Sequence, residues 1–222
     1  MTYTGDVVRG GPAAVRELAD VVVRKVCVGP LGNNAYLLTC RASGAQLLID
    51  AADDAPALAA LVRAGSPAGR LDVVLTTHRH ADHQRALRAV VAATGADTAA
   101  GADDAAGIDV PTTRLLHDGD VLAVGELRLE VIGLRGHTPG SVALAYREPD
   151  GRAHLFTGDS LFPGGVGNTD HDPTRFASLL DDVITRLFDR FDDATWVYPG
   201  HGPDTTLETD RPHLAQWRTR GW

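Results

Sequence analysis

The stretch Thr77-His78-Arg79-His80-Ala81-Asp82-His83 sets three histidines and an aspartate within six positions, directly behind the apolar residues 71–75. That apolar run reads as a short strand, and side chains alternate faces along a strand, so His78 and His80 point to the same side. From residue 82 to 93 the apolar positions Leu87, Val90 and Val91 recur at helical spacing, so the chain changes direction inside the cluster. The change lets Asp82 and His83 enter the same cavity from a second angle. Imidazole and carboxylate groups are ligands of borderline divalent metals, and four of them at this spacing read as a metal site rather than a solvated loop.

Outward from this motif, strands and helices alternate. Residues 21–28 form a β-branched run, 29–34 carry turn chemistry, and 35–39 and 46–50 are short apolar segments. Residues 53–64 read as a helix, with Leu58, Leu61 and Val62 recurring behind Pro56 in its first turn. Residues 96–111, rich in Ala, Gly and Asp, give a short strand, a loop and a helical turn. Asp118-Gly119 and Gly125-Glu126 punctuate a hairpin-like stretch over 115–134. Strands at 141–146 and 154–157 flank a turn at 148–151. An amphipathic helix over 176–191 carries Leu179, Leu180, Val183, Ile184 and Leu187. A last strand at 196–198 and a helix over 206–217 follow. No repeat or flexible linker interrupts the series, which predicts a layered α/β sandwich in a single domain spanning residues 1–222.

Three isolated residues share the character of the cluster. His137 lies in Gly136-His137-Thr138-Pro139-Gly140, Asp159 in Phe156-Thr157-Gly158-Asp159-Ser160, and His201 in Tyr198-Pro199-Gly200-His201-Gly202. Each follows a strand and is flanked by Gly or Pro, as functional loops on a rigid scaffold are. Alone, each reads as a turn residue. With the cluster they supply seven nitrogen and oxygen ligands, enough for two metals sharing one carboxylate.

The ordered set His78, His80, Asp82, His83, His137, Asp159 and His201 resembles the metallo-β-lactamase-fold hydrolases over about residues 34–201. The resemblance implies a four-layer αβ/βα sandwich, two mixed sheets flanked by helices, with the metals at one edge between the sheets. By position it implies that His78, His80 and His137 hold one metal and that Asp82, His83 and His201 hold a second, with Asp159 bridging. Asp50, at the end of a strand, is similar to a family aspartate that supports the metal loop; as a residue it reads equally well as part of a helix's opening turn. The words Gly136 to Ser141, Phe156 to Phe162, Gly164-Gly165-Val166-Gly167 and Asn33-Asn34-Ala35-Tyr36 are closest to the glyoxalase II-like (hydroxyacylglutathione hydrolase-like) branch. Asp159 separates the chain from β-lactamases with a cysteine there, and His80 separates it from flavodiiron oxidoreductases with a glutamate.

The implied activity is hydrolysis of an ester-like carbonyl, a thioester of glyoxalase II type, by a metal-bound hydroxide, with Asp82 as a catalytic group that orients the hydroxide or carries its proton. The implied cofactors are two divalent ions, zinc first, with iron or manganese able to use the same ligands. Asn168 stands where that branch has a basic residue, and Arg211, Arg218 and Arg220 are the basic groups of the tail, which leaves the carrier thiol open. Gln84-Arg85-Ala86 departs from the glycine pair of the lactonases. The runner-up is an oxidoreductase similar to mononuclear-iron persulfide dioxygenases, using His78, His137 and Asp159. A lactonase or a non-enzymatic metal-binding protein comes after it.

A formal charge of −8, with arginines and aspartates interspersed, excludes the basic stripe that tracks nucleic acid. No apolar run reaches membrane-span length, and residues 1–11 lack an apolar signal core, so the expectation is a cytoplasmic protein acting on a small molecule, with monomer and homodimer both open. Cys27 and Cys40 read as free thiols, and Lys25 is the only lysine. His117, His154, His171 and His213 read as surface or loop residues, with His171 close enough to the glycine-rich segment to line a pocket. Trp196, Trp217 and Trp222 read as packing residues. The segment Gly164-Gly165-Val166-Gly167 lacks the lysine of a phosphate loop and reads as a substrate-shaping loop.

Overall fold

Alternating apolar residues build two facing sheets in a computed structural model that describes residues 3–221. The first sheet holds seven strands in chain order: β1 (Ala14–Glu17), β2 (Val21–Val28), β3 (Asn33–Cys40), β4 (Gln46–Ile49), β5 (Val73–Thr76), β6 (Asp97–Gly101) and β7 (Arg114–Leu116). β1 to β4 pair antiparallel. β4 to β7 pair parallel, with α1 (Ala55–Gly65) and α2 (Leu87–Thr94) as crossovers between the parallel neighbours.

The second sheet takes β8 (Val121–Val124), β9 (Leu127–Gly133), β10 (Val142–Arg147) and β11 (Ala153–Gly158). Beyond them β12 (Leu161–Phe162) and β13 (Gly165–Val166) form a small separate hairpin. The sheet is completed by β14 (Trp196–Pro199), parallel to β11, and β15 (Thr205–Thr206). Helix α3 (Pro173–Val183), capped by the Asp172 carboxylate, precedes β14, and α4 (Leu207–Asp210) and α5 (Leu214–Arg220) follow β15.

The layers follow from which face each side chain takes. Tyr36, Leu38, Ile49 and Leu75 meet Leu129, Val131, Leu144, Phe156 and Tyr198 between the sheets. Their neighbours Leu37, Leu48 and Val74 face outward against Leu58, Leu61, Leu87 and Val90 of α1 and α2. On the other side Ala143, Leu155 and Val197 pack on Phe176, Leu179, Leu180 and Val183 of α3. Strands covered on both faces read as unbroken apolar runs, which is why β3 and β5 show little alternation. The result is a four-layer αβ/βα sandwich of two mixed sheets flanked by helices.

Local differences from the sequence reading have identifiable causes. The helix expected from residue 82 begins only at Leu87, after a 3-10 turn over Ala81–His83. The amides of Arg85 and Ala86 donate to the carbonyls of Ala52 and Ala51, so they are not available to a continuous helix. The stretch 115–134 is not one hairpin: β7 closes the first sheet, the chain crosses at Asp118-Gly119, and only Gly125-Glu126 turns a hairpin, between β8 and β9. The helix over 176–191 widens into a π-turn at Ile184–Phe188. The expected last helix is broken into α4, a 3-10 turn at Arg211–His213 and α5.

His154 is buried, not a surface residue, and bonds Tyr198 Oη at 3.1 Å and Glu148 Oε1 at 3.0 Å. His117, His171 and His213 are exposed. Trp217 is buried in the outer core, Trp196 is half-buried, and Trp222 lies outside the described residues. Cys27 and Cys40 are free. Among the described residues no helix is long and apolar enough to cross a membrane.

Candidate metal centre

Strands β5, β9, β11 and β14 deliver His78, His137, Asp159 and His201 from the loops just after their ends. Parallel pairing of β4 with β5 and of β11 with β14 brings several such ends to one edge of the sandwich, where open α/β sheets present their ligand loops. Backbone bonds stitch the two sheets together at that edge: Val142 N donates to Thr77 O at 3.0 Å and Asn34 N donates to Gly200 O at 2.7 Å. Every residue singled out from the sequence as a ligand is therefore found in one place.

Among the described residues, three overlapping sets have their ligand atoms within 4.8 Å of one another: His78, His80 and His137; His78, His83 and Asp159; Asp82, His83 and His201. His78 Nε2 and His137 Nε2 lie 3.2 Å apart, and the His80 ring stands 4.7 and 4.5 Å from theirs. On the other side His83 Nε2 and His201 Nε2 are 3.3 Å apart, with Asp82 Oδ2 at 3.6 and 3.5 Å from them. Asp159 spans both halves: Oδ1 is 3.2 Å from His83 Nε2, and Oδ2 is 3.8 Å from His137 Nε2 and 3.5 Å from His201 Nε2.

The outer ring nitrogens explain why the inner ones converge. His83 Nδ1 donates to Asp50 Oδ2 at 2.8 Å, His137 Nδ1 to the Asn168 carbonyl at 2.7 Å, and His201 Nδ1 to the Leu31 carbonyl at 3.2 Å. His78 Nδ1 lies 3.0 Å from Thr77 Oγ1, whose own proton goes to Asp50 Oδ2. Acceptors at these positions fix Nδ1 as the protonated nitrogen and aim each Nε2 at the centre, the usual way of preparing metal-binding imidazoles.

The electrostatics carry the same signature. Burial, with His83 adding to it, pushes His78 well below the ordinary histidine range, and burial also lowers His137. Burial would lower His83 too, but the Asp50 and Asp159 carboxylates outweigh it and raise it to about 10. His201 is raised against burial by Asp159. Asp159 is held well below the usual carboxylate range despite its burial, by the nearby imidazoles of His201 and His83. Its Oδ1 is buried without a donor in hydrogen-bonding geometry. An acceptor oxygen in that state, ringed by imidazoles whose outer nitrogens are already committed, fits divalent cations.

Several supporting residues carry no ligand signature in the sequence. Buried Asp104 accepts from Arg79 N at 3.0 Å, Gly140 N at 3.0 Å and the Thr138 hydroxyl, tying the His78–His83 loop to the His137 loop. Arg175 of α3 donates to the carbonyls of Gly136 (2.9 Å) and His137 (2.6 Å). Asn33 Nδ2 donates to Asp82 Oδ2 at 2.9 Å and lies 3.3 Å from His201 Nε2; the word Asn33-Asn34 was the one visible hint of it. Glycine is required where the backbone passes Asp159: a Cβ on Gly200 would meet the carboxylate Oδ1 at 2.1 Å, and one on Gly167 would meet the backbone carbonyl oxygen of Asp159 at 1.8 Å.

Known proteins resemble this chain. Residues 28–201 match the family model of the metallo-beta-lactamase superfamily. A hydroxyacylglutathione hydrolase of Polaromonas sp. is 34% identical over 183 residues, 82% of this chain and 66% of that protein. The chain spans between 50% and 66% of the length of the first curated relatives it matches. Among solved structures, the di-iron-bound form of TTHA1623 is 32% identical with a TM-score of 0.69, covering 84% of this chain and 96% of that one. ETHE1 from Myxococcus xanthus is 27% identical with a TM-score of 0.74, covering 89% and 84%. With the family model matching well over half of its residues, this chain belongs to the metallo-beta-lactamase superfamily.

Proposed function

We propose that the chain is a metallo-hydrolase acting on an ester-like carbonyl, a thioester of the hydroxyacylglutathione hydrolase type. The observation that carries this reading is Asp159, whose two oxygens reach the histidines of both halves of the cluster. In this reading His78, His80 and His137 hold one divalent cation, Asp82, His83 and His201 hold a second, and Asp159 serves both. Zinc is the first candidate, and the same nitrogen and oxygen set accepts iron or manganese. Such cations supply Lewis acidity and bring the pKa of a water towards neutrality.

The protein's own residues do the rest. Asp50, Asn168 and Leu31 hold the imidazoles by their outer nitrogens, so little reorganisation is needed during reaction. Asp82 keeps an acceptor oxygen at the centre; burial would raise its pKa, but the Asn33 amide and His83 lower it, which keeps it an ionised carboxylate able to orient a water. The curated relatives named hydroxyacylglutathione hydrolase support the thioester. The same reading has a small-molecule substrate and a cytoplasmic site of action.

The similarity to ETHE1 favours one competing reading, an oxidoreductase with a single iron on His78, His137 and Asp159. Metal analysis of protein purified without added metal, followed by assays on thioester, lactone and persulfide panels, separates them. Two equivalents of metal with thioester turnover support hydrolysis. Oxygen uptake with a persulfide, and no turnover of any ester, would overturn it.

A further inference from the structure

Lys25 is the only lysine among the 222 residues, and it is fully buried. A buried ammonium is tolerated only where its protons are all bonded and its charge is paired. Lys25 Nζ donates to Asp204 Oδ1 at 2.7 Å, to Gly5 O at 2.9 Å and to Gly202 O at 2.9 Å. Asp204 Oδ2 in turn accepts from Tyr3 Oη at 2.9 Å and Trp196 Nε1 at 3.0 Å. Gly5, at φ 76°, passes so close that a Cβ would lie 2.3 Å from Asp204 Oδ2.

These bonds converge on the backbone around His201. Gly202 directly follows it, and the Gly202 carbonyl accepts from both Lys25 and Asn34. On the preceding side, the Pro199 carbonyl accepts from Tyr36 Oη and Asn34 Nδ2. His201 is thus suspended between two pinned carbonyls, and one of the pins is the lysine. The hydrogen bonds that hold the outer nitrogens of His78 and His137 involve none of these groups.

We propose that Lys25 is a positioning residue for His201: by locking residues 199–204 to the segment around Gly5, it sets the affinity of the second cation position and leaves the first alone. The inference rests on the reading of His201 as a ligand of that position. Burial of Lys25 and occupancy of the second position are then coupled, and the sole lysine reports on the coupling.

The test acetylates the full chain with an N-hydroxysuccinimide ester and reads Lys25 by peptide mapping at zero, one and two equivalents of cobalt. Lys25 reacts about 10-fold more slowly once the second equivalent is bound than with one; equal rates at one and two equivalents overturn the proposal. A Lys25→Met/Asp204→Asn variant removes both charges without leaving either one buried alone. In a cobalt titration followed by visible absorption it weakens the second step about 10-fold or more, as loss of an outer support does, and leaves the first step in place. A general loss of structure would move both steps equally, and that result also overturns the proposal. A wild-type titration with one step only sinks the two-cation reading itself. Two steps with unchanged labelling sink the role of Lys25 alone.

Discussion

Asp50 Oδ2 accepts the His83 Nδ1 proton at 2.8 Å while Asp50 Oδ1 accepts the Thr77 amide at 2.7 Å. One carboxylate therefore fixes both the ring of one candidate ligand and the backbone just before another. Thr77 Oγ1 completes the set, donating to Asp50 Oδ2 at 2.8 Å and lying 3.0 Å from His78 Nδ1. Asp50 holds this post with a left-handed backbone, φ 60°, at 1% exposure. That conformation costs a non-glycine residue about 1–2 kcal/mol.

Replacing Asp50 with Ala leaves the Thr77 amide buried without an acceptor and frees the His83 ring. The expected result is second-step cobalt affinity lower by about 10–100-fold, with unfolding stability in urea reduced by about 2–3 kcal/mol. Asp50→Asn keeps the size and one acceptor oxygen, and so falls between. Unchanged cobalt affinity in Asp50→Ala would show that the aspartate only supports the loop.

Asp159 and His80 are predicted to be indispensable for a different reason, since each faces the centre directly. Asp159→Ala and His80→Ala each lose tight metal binding together with turnover, measured by metal content after desalting and by thioester hydrolysis. Full activity in a metal-free Asp159→Ala protein would remove the basis of the proposed chemistry.

Gly200→Ala tests the packing behind the site without altering any candidate ligand. Its Cβ would fall 2.1 Å from Asp159 Oδ1 and 2.9 Å from His83 Cε1. A hydrogen-bonded backbone cannot retreat easily here, because Gly200 N donates to Gly158 O at 2.8 Å and Gly200 O accepts from Asn34 N. The carboxylate must therefore move. Overpacking of this kind costs about 1–3 kcal/mol, and the expected phenotype is metal content at or below one equivalent in a protein whose circular dichroism is unchanged.

What could be read from the sequence follows a physical divide. The residues that converge at the sheet edge, the candidate ligands, were legible because histidine is scarce and because strand ends flanked by glycine and proline announce loops. The layers were legible because β3, β4 and β5 are short apolar runs and α1 repeats its apolar residues at helical spacing. The groups that hold the ligands were not: Asp104 and Arg175 act through backbone carbonyls and amides far away in sequence, and an aspartate or arginine chosen for such a role looks like any surface residue. β1 was invisible for a related reason, since an edge strand of four residues owes its form to pairing with β2 more than to its own pattern. The start of α2 was misplaced because amides that local spacing assigns to a helix are taken by Ala51 and Ala52.

The two proposed cation positions differ in how their histidines are charged, and this predicts when protons leave. His78 and His137 are pushed below the ordinary range, so they are neutral at pH 7 and bind a first cation without deprotonation. His83, raised to about 10, holds a second proton in the cation-free protein, between the Asp50 and Asp159 carboxylates, and Asp159 shifts His201 in the same direction. For His83 the sign follows directly: a folded pKa above the unfolded 6.5 gives stability that is full below about 6.5 and is lost as pH rises through about 10. A second cation must displace the His83 proton, so its affinity falls as pH falls, by up to about tenfold per pH unit for each proton released. Calorimetric titration in two buffers of different ionisation enthalpy counts the protons at each step. The expected outcome is about one to two protons released with the second cation and close to none with the first; release confined to the first step would mean that the charge pattern around Asp159 has been assigned to the wrong half of the site.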